Sequence, residues 1–160
     1  MAIGDDYFKK NKIKLIVAGE FYSDENKYLQ LIKELKIEDQ VVLKTDYIPN
    51  DEVQNFFNAA GIVAQPYKSA TQSGVTQIGY HFNKPMLVTD VGGLSEIIPH
   101  MKVGYVTPVD SKEITKALID FFEEKREEAF TANVIQEKKR FSWDKMTRVI
   151  YELNEEINQQ

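Results

Sequence analysis

The chain has 160 residues, 42% of them hydrophobic, which is enough for one domain that buries its own core. Twenty-five acidic against twenty basic residues leave a net charge of −5 with no dominant basic block, which argues against a nucleic-acid surface as the main function. The absence of cysteine excludes disulfides and thiolate metal sites, and no apolar run approaches the ~20 residues of a membrane span or the core of a signal peptide.

Residues 1–11 are polar and patternless and are expected to be a frayed start. Lys12 to Ala18 then reads as a strand apolar on both faces, as in a parallel sheet covered by helices. Gly19-Glu20 turns the chain. Tyr28, Leu31, Ile32 and Leu35 repeat at i, i+3, i+4, i+7, so the spacing predicts a helix over 24–35 with those residues inward. Val41 to Leu43 is the next strand, followed by the loop Asp46 to Pro49. Asn50 can cap a helix carrying Asp51 and Glu52 in its first turn, with Val53, Phe56, Phe57 and Ala60 inward, closed by Gly61.

A third strand ends at Val63-Ala64, and the polar run Lys68 to Ser73 breaks every periodicity before Gly74. Val75, Ile78, Gly79 and Phe82 fall on one helical face, which puts Ser73 at the N-cap. A loop opening into a helix start leaves backbone N–H groups unpaired at the positive end of the helix dipole, and so suits a phosphate. Met86 to Thr89 is the fourth strand, and Gly92-Gly93 after it is a turn in which backbone can approach a ligand closely.

Gly104 to Val106 is a last short strand. Ile114, Ala117, Leu118, Phe121 and Phe122 share one face of the helix after Asp110. Residues 123–139 read as a charged, solvated helix with Phe130, Val134 and Ile135 as sparse anchors. Ser142 opens a final amphipathic helix with Met146, Val149, Ile150, Leu153 and Ile157 inward and Trp143 as a core anchor. His81 and His100 read as ordinary surface histidines, and Tyr67 and Tyr80 as packing residues. Five strands alternating with helices make an α/β, doubly wound parallel sheet with helices on both faces, and ligands bind such sheets outside the carboxyl ends of the strands.

The order of strand, Pro66-Tyr67, polar loop, Ser73-Gly74, helix, Asn83-Lys84-Pro85, strand, and Thr89-Asp90-Val91-Gly92-Gly93-Leu94 with Glu96 resembles the donor-binding half of retaining GT-B glycosyltransferases of the group 1 kind. The resemblance runs from about Ile13 to the end of the chain. It implies a Rossmann-like domain over 1–160 whose acceptor-binding N-terminal half is missing, so that the isolated chain is inactive. By that resemblance Tyr47 and Ile48 border the nucleotide base, while Gln72, Ser73, Gly74, Val75 and Thr76 meet the diphosphate of a nucleotide-sugar donor. Gln77 is a substitute ribose contact, and Gly92 and Gly93 face the donor. The implied ligand is a nucleotide sugar used as substrate, with no cofactor and no metal. The implied partner is the missing half, through which any membrane contact of an otherwise cytoplasmic protein would run. The last helix, by the same resemblance, exposes an apolar strip toward that half.

The departures from the family's pattern bear on function. Many members carry two glutamates flanking the phosphate loop, and counting back from Pro85 puts Ala70 and Ile78 in their places. The family's basic pair precedes Lys12, where this chain offers only Lys9 and Lys10. Three other readings therefore stand beside the glycosyltransferase half: a non-catalytic nucleotide- or partner-binding module of the same fold, half of a sugar epimerase, and, more weakly, a flavodoxin-like or receiver-type domain. A receiver needs acidic residues after the first strand and a phosphoacceptor after the third, and Gly19-Glu20 and Gln65-Pro66 supply neither.

Overall fold

The computed structural model of the chain describes residues 2–21 and 24–158, with all their side chains except that of Leu153. Met1, part of the expected frayed start, lies outside the described residues. The rest of that start is ordered, because a turn at Ala2–Gly4 and helix α1 (Asp6–Lys10) bury Ile3 and Phe8. Asp5 caps α1 by accepting from the N–H of Tyr7. The hydrophilic look of residues 1–11 concealed two apolar anchors set five residues apart in sequence.

Five strands, all parallel to their neighbours, alternate with helices. Strands β1 (Leu15–Ala18) and β2 (Val41–Lys44) pair with Leu15 opposite Val41. Strands β3 (Val63–Gln65), β4 (Met86–Thr89) and β5 (Gly104–Thr107) form a second ladder in that order, with Met86 opposite both Val63 and Gly104. One ladder across all five strands was the expectation, whereas the hydrogen bonding divides into a two-stranded and a three-stranded part.

Helices cover both faces, as the doubly wound reading requires. On one side of β4, Met86 and Val88 pack with Tyr80 of α4 (Gly74–His81) and with Leu94 of α5 (Leu94–Ile97). On the other side, Leu87 packs with Phe121 of α6 (Ser111–Glu123) and Phe130 of α7 (Glu127–Glu137). Alternation of side chains along a strand makes these opposite faces. Helix α6 also reaches the two-stranded part, where Leu118, Ile119 and Phe122 meet Phe8, Leu15, Leu43 and Ile32 of α2 (Glu25–Glu34). One helix thus packs on both ladders.

Several inward assignments are revised. On α2 only Ile32 is buried, while Tyr28, Leu31 and Leu35 are 40–46% exposed. On α3 (Asn50–Ala59) Val53, Phe56, Phe57 and Ala60 are half-buried, and Phe57 stacks on Phe82 at 5.1 Å. Asn50 opens that helix without capping it, since Pro49 holds the cap position. The buried face of α4 is Thr76, Gly79 and Tyr80, leaving Val75 and Ile78 outward. Trp143 is 77% exposed at the start of α8 (Trp143–Asn158), where Met146, Val149, Ile150 and Ile157 are exposed as well.

The charged stretch 123–139 is less solvated than its composition suggests, because Phe130, Val134 and the carboxylate residue Glu137 are buried. Lys102 bonds Glu137 at 2.7 Å and Arg140 completes the pairing, so the charge is not left alone in the interior. The Lys102 hydrogen bond, foremost, holds the Glu137 carboxyl below the usual range. A depressed carboxyl contributes stability that is present above its unfolded pKa of about 4.3 and fades as pH falls through the lower, folded value. Urea denaturation against pH is therefore expected to show stability falling below about pH 4.5, with a shallower fall in Glu137→Gln, which itself costs about 1–3 kcal/mol at pH 7.

Candidate functional site

Within each ladder the parallel strands bring their carboxyl ends to one edge, with the turns after β1 and β2 at one ladder and those after β3 and β4 at the other. Two of these, the loop 66–73 after β3 and the turn 90–93 after β4, are joined by a set of short bonds. Thr89 Oγ1 donates to the carbonyl of Tyr67 at 2.6 Å, and the N–H of Gly93 donates to the carbonyl of Thr71 at 2.9 Å. Gly92 has φ +54°, and a Cβ built on it would lie 1.9 Å from the carbonyl oxygen of Ala70. The close approach that Gly92 was expected to allow is thus taken up by the chain's own loop backbone.

That loop delivers α4 with an open start. Ser73 sits at the N-cap position, as expected, yet its hydroxyl makes no cap bond and instead meets the Tyr67 hydroxyl at 3.3 Å. Among the described residues nothing accepts from the N–H groups of Gly74 and Val75, and nothing lies within 4 Å of a Cβ built on Gly74. The Thr76 N–H is turned back onto the Ser73 carbonyl at 3.2 Å. The helix start therefore offers two free N–H groups in open space at the positive end of the helix dipole.

Beneath this start lies a buried polar pair. Thr76, fully buried, donates through Oγ1 to Gln65 Oε1 at 3.1 Å, which pins the first turn of α4 to the end of β3. Gln65 is 2% exposed, and its Nε2 is a buried side-chain donor without a partner. Thr89 entered the sequence reading only as part of the motif that carries the resemblance, and Gln65 only as a residue a receiver would not have, so neither was expected to hold the loop or the start of α4. Tyr67, expected only to pack, is a hydrogen-bonding pin.

The remaining expected site residues are placed as follows. Gln72 is exposed on the loop, and Thr76 presents only its backbone, its side chain being turned inward. Gln77 is exposed one turn along α4, lining a groove of about 340 Å³ with His81, Lys138 and Lys139. Tyr47 is 69% exposed and Ile48 half-buried between β2 and α3, and among the described residues no hydrogen bond or ring contact joins either to the start of α4. Ion pairs that shift acidities lie elsewhere: Arg126 forks onto Asp120 and holds its carboxyl below the usual range, while burial raises the Tyr105 hydroxyl that donates to it.

The family model for glycosyl transferases group 1 matches residues 3–124. This chain belongs to that family. Solved structures share its fold: HepE from Anabaena in complex with UDP superposes with a TM-score of 0.76 at 18% identity, over 91% of this chain and 41% of that one. A sucrose-phosphate synthase from Thermosynechococcus elongatus gives 0.72 at 15%, over 91% and 38%. The C-terminal domain of LpcC from Francisella tularensis, a glycosyl transferase group 1 protein, gives 0.75 at 19%, over 86% and 74%. The chain therefore spans about two fifths of the length of the first two and has the fold of a GT-B C-terminal domain. No protein of curated function matches it by sequence.

The stitching of this glycosyltransferase domain depends on Gly92, and replacement by alanine forces a Cβ against a backbone carbonyl at positive φ. Gly92→Ala is expected to lower stability by more than about 1–2 kcal/mol in urea denaturation and to shift the amide resonances of residues 66–73.

Proposed function

We propose that the chain is the donor-binding half of a retaining glycosyltransferase, which holds the diphosphate of a nucleotide sugar on the N–H groups of Gly74 and Val75. The observation that carries this reading is the uncapped start of α4, where the natural cap residue is engaged by Tyr67 and the space over Gly74 is open. Breaking the bond between sugar and phosphate collects negative charge on the departing diphosphate. Fixed N–H dipoles stabilise that charge with no metal and no cofactor. Tyr47 and Ile48 border the base, Gln72 and the Gly92-Gly93 turn frame the phosphate loop, and Gln77 is a weak ribose contact. Binding of UDP by HepE supports a nucleoside diphosphate as the ligand class.

Ala70 and Ile78 stand where carboxylates would read the donor, so the non-catalytic binding module, or half of an epimerase, is the second reading. The acceptor, a glycan or lipid-linked sugar of polysaccharide synthesis, belongs in this proposal to an N-terminal half beyond these residues. Helix α8 supplies the face for that half: Trp143, Met146, Ile150 and Ile157 fall at intervals of three, four and seven residues and are 54–77% exposed. The full-length enzyme is cytoplasmic in this proposal, with any membrane contact made through the other half. Among the described residues no helix is long and apolar enough to cross a membrane.

Titration of the ¹⁵N-labelled chain with UDP, GDP and ADP in turn should move amides of residues 71–77 and 46–49 for one of them, with Kd of about 1 mM. No shift there at ~10 mM removes the nucleotide-sugar reading and leaves the module. Gly74→Val should retain the fold, because the Cβ position is empty, and lose the binding. On α8, Ile150→Asp should change the stability of the isolated chain by less than about 0.5 kcal/mol and abolish sugar transfer by the full-length enzyme.

A further inference from the structure

The first turn of α4 is open where helices are normally closed. Its cap serine is engaged by Tyr67, its first residue is Gly74, and the N–H groups of Gly74 and Val75 have no acceptor among the described residues. A helix start without a side-chain cap and with glycine in its first position gives up both a hydrogen bond and backbone order. Such a start tends to fray. Frayed N–H groups hold no common direction and bind an anion poorly, whereas capped ones are already occupied. A start that is to receive an anion therefore needs order from something other than its own N–H groups.

That order comes from beneath. In the first turn Gly74, Val75 and Gln77 are exposed, and only Thr76 is buried. Its Oγ1 donates to Gln65 Oε1 at 3.1 Å, and Gln65 is the last residue of β3, in register with the fully buried Val88 of β4. The bond ties the uncapped turn to a paired strand. For packing alone both partners are costly choices, because the buried amide leaves Nε2 without a partner among the described residues and threonine is a β-branched residue in a helix. Methionine and valine would fill about the same space with no polar group to satisfy.

We propose that Gln65 is a positioning residue of the donor site: it holds the first turn of α4 through Thr76, so that the N–H groups of Gly74 and Val75 stay aligned and unoccupied until a diphosphate reaches them. The proposal rests on the reading of α4 as the diphosphate site. Gln65 is 2% exposed and acts only through its bond to Thr76, so its part is orientation and not contact. The chemistry of the anchor suits that part. Because the donor is the threonine hydroxyl, the turn is fastened without spending either of the main-chain N–H groups that the anion needs. A serine cap would fasten the same turn by occupying such a group.

The test compares the ¹⁵N-labelled wild-type chain with Thr76→Val, Thr76→Ser and the double variant Gln65→Met with Thr76→Val, each titrated with UDP, GDP and ADP. The double variant leaves no polar group of the pair unsatisfied and is expected to keep or raise the urea midpoint. It is nevertheless expected to lower the heteronuclear NOE of the Gly74 and Val75 amides and to weaken binding of whichever nucleotide the wild type takes by about tenfold. Thr76→Val alone weakens binding as well, and Thr76→Ser, which puts the hydroxyl back, is expected to return it to within about threefold of the wild type. Binding that falls only in step with the urea midpoint and is not recovered by Thr76→Ser makes the pair merely structural and overturns the proposal. So does a double variant that binds as the wild type does, an outcome that leaves the donor reading intact. A wild-type chain that binds none of the three nucleotides removes that reading itself, and the positioning role with it.

Discussion

The carbonyl of Ala70 lies where the Cβ of any residue other than glycine at position 92 would be, and the arrangement of the loops after β3 and β4 depends on that contact. Because it is made backbone to backbone, the loop 66–73 is held without its side chains, and Thr71 and Gln72 stay exposed. The bond from Gly93 N–H to Thr71 and the one from Thr89 Oγ1 to Tyr67 fix the two ends of the same contact. With the loop so placed, Tyr67 engages the Ser73 hydroxyl, and the helix behind it begins uncapped. A capping serine gives typically ~1 kcal/mol to a helix, so its diversion leaves a cost that an anion at the helix start can offset.

The strands were legible in the sequence because Met86 to Thr89 and Leu15 to Ala18 are apolar runs bounded by turn residues. The order of loops at the carboxyl edge followed from them. The buried faces of helices were harder to read, for a physical reason. Hydrophobic periodicity tells which side of a helix is apolar, whereas burial depends on what lies opposite. On α4 the inward side carries Thr76 and Gly79 because one bonds Gln65 and the other lets Met86 Sδ come within van der Waals reach of the backbone, so apolar Val75 and Ile78 face out. On α8 the strongest amphipathic pattern of the chain has nothing to cover it among the described residues. The GG turn was recognised as a place of close approach, but a sequence does not say whether ligand or loop makes it.

Charge is distributed away from the strand edge. The buried or partly buried ion pairs, Glu137 with Lys102 and Arg140 and Asp120 with Arg126, bind α6, α7 and the residues around β5 to each other. They stabilise the frame that carries α4 and leave its start to backbone dipoles. Under the proposed function, an anion at the start of α4 would meet backbone dipoles whose influence fades within a turn of the helix, so the affinity in that proposal turns on how closely it sits to Gly74 and Val75. The loop geometry, more than any nearby lysine, controls that distance.

Burial across the molecule is graded, and the gradient separates two kinds of exposed apolar surface. Strand β4 is covered on both faces and paired on both edges, as the centre of a finished sheet should be. Elsewhere the cover is thinner: Ala64 of β3, Ile16 and Val42 of the two-stranded part, and Tyr28, Leu31 and Leu35 of the segment after β1 are exposed. On the strands this exposure sits beside N–H groups of Ile16, Ala18 and Ala64 that face away from the paired strands and have no strand partner among the described residues. The exposure on α8 has no open backbone, since a helix satisfies its own N–H and C=O groups, and it calls for an apolar surface instead. The two kinds of surface thus differ in what they leave open, unpaired strand backbone on the one hand and apolar side chains on a self-satisfied helix on the other.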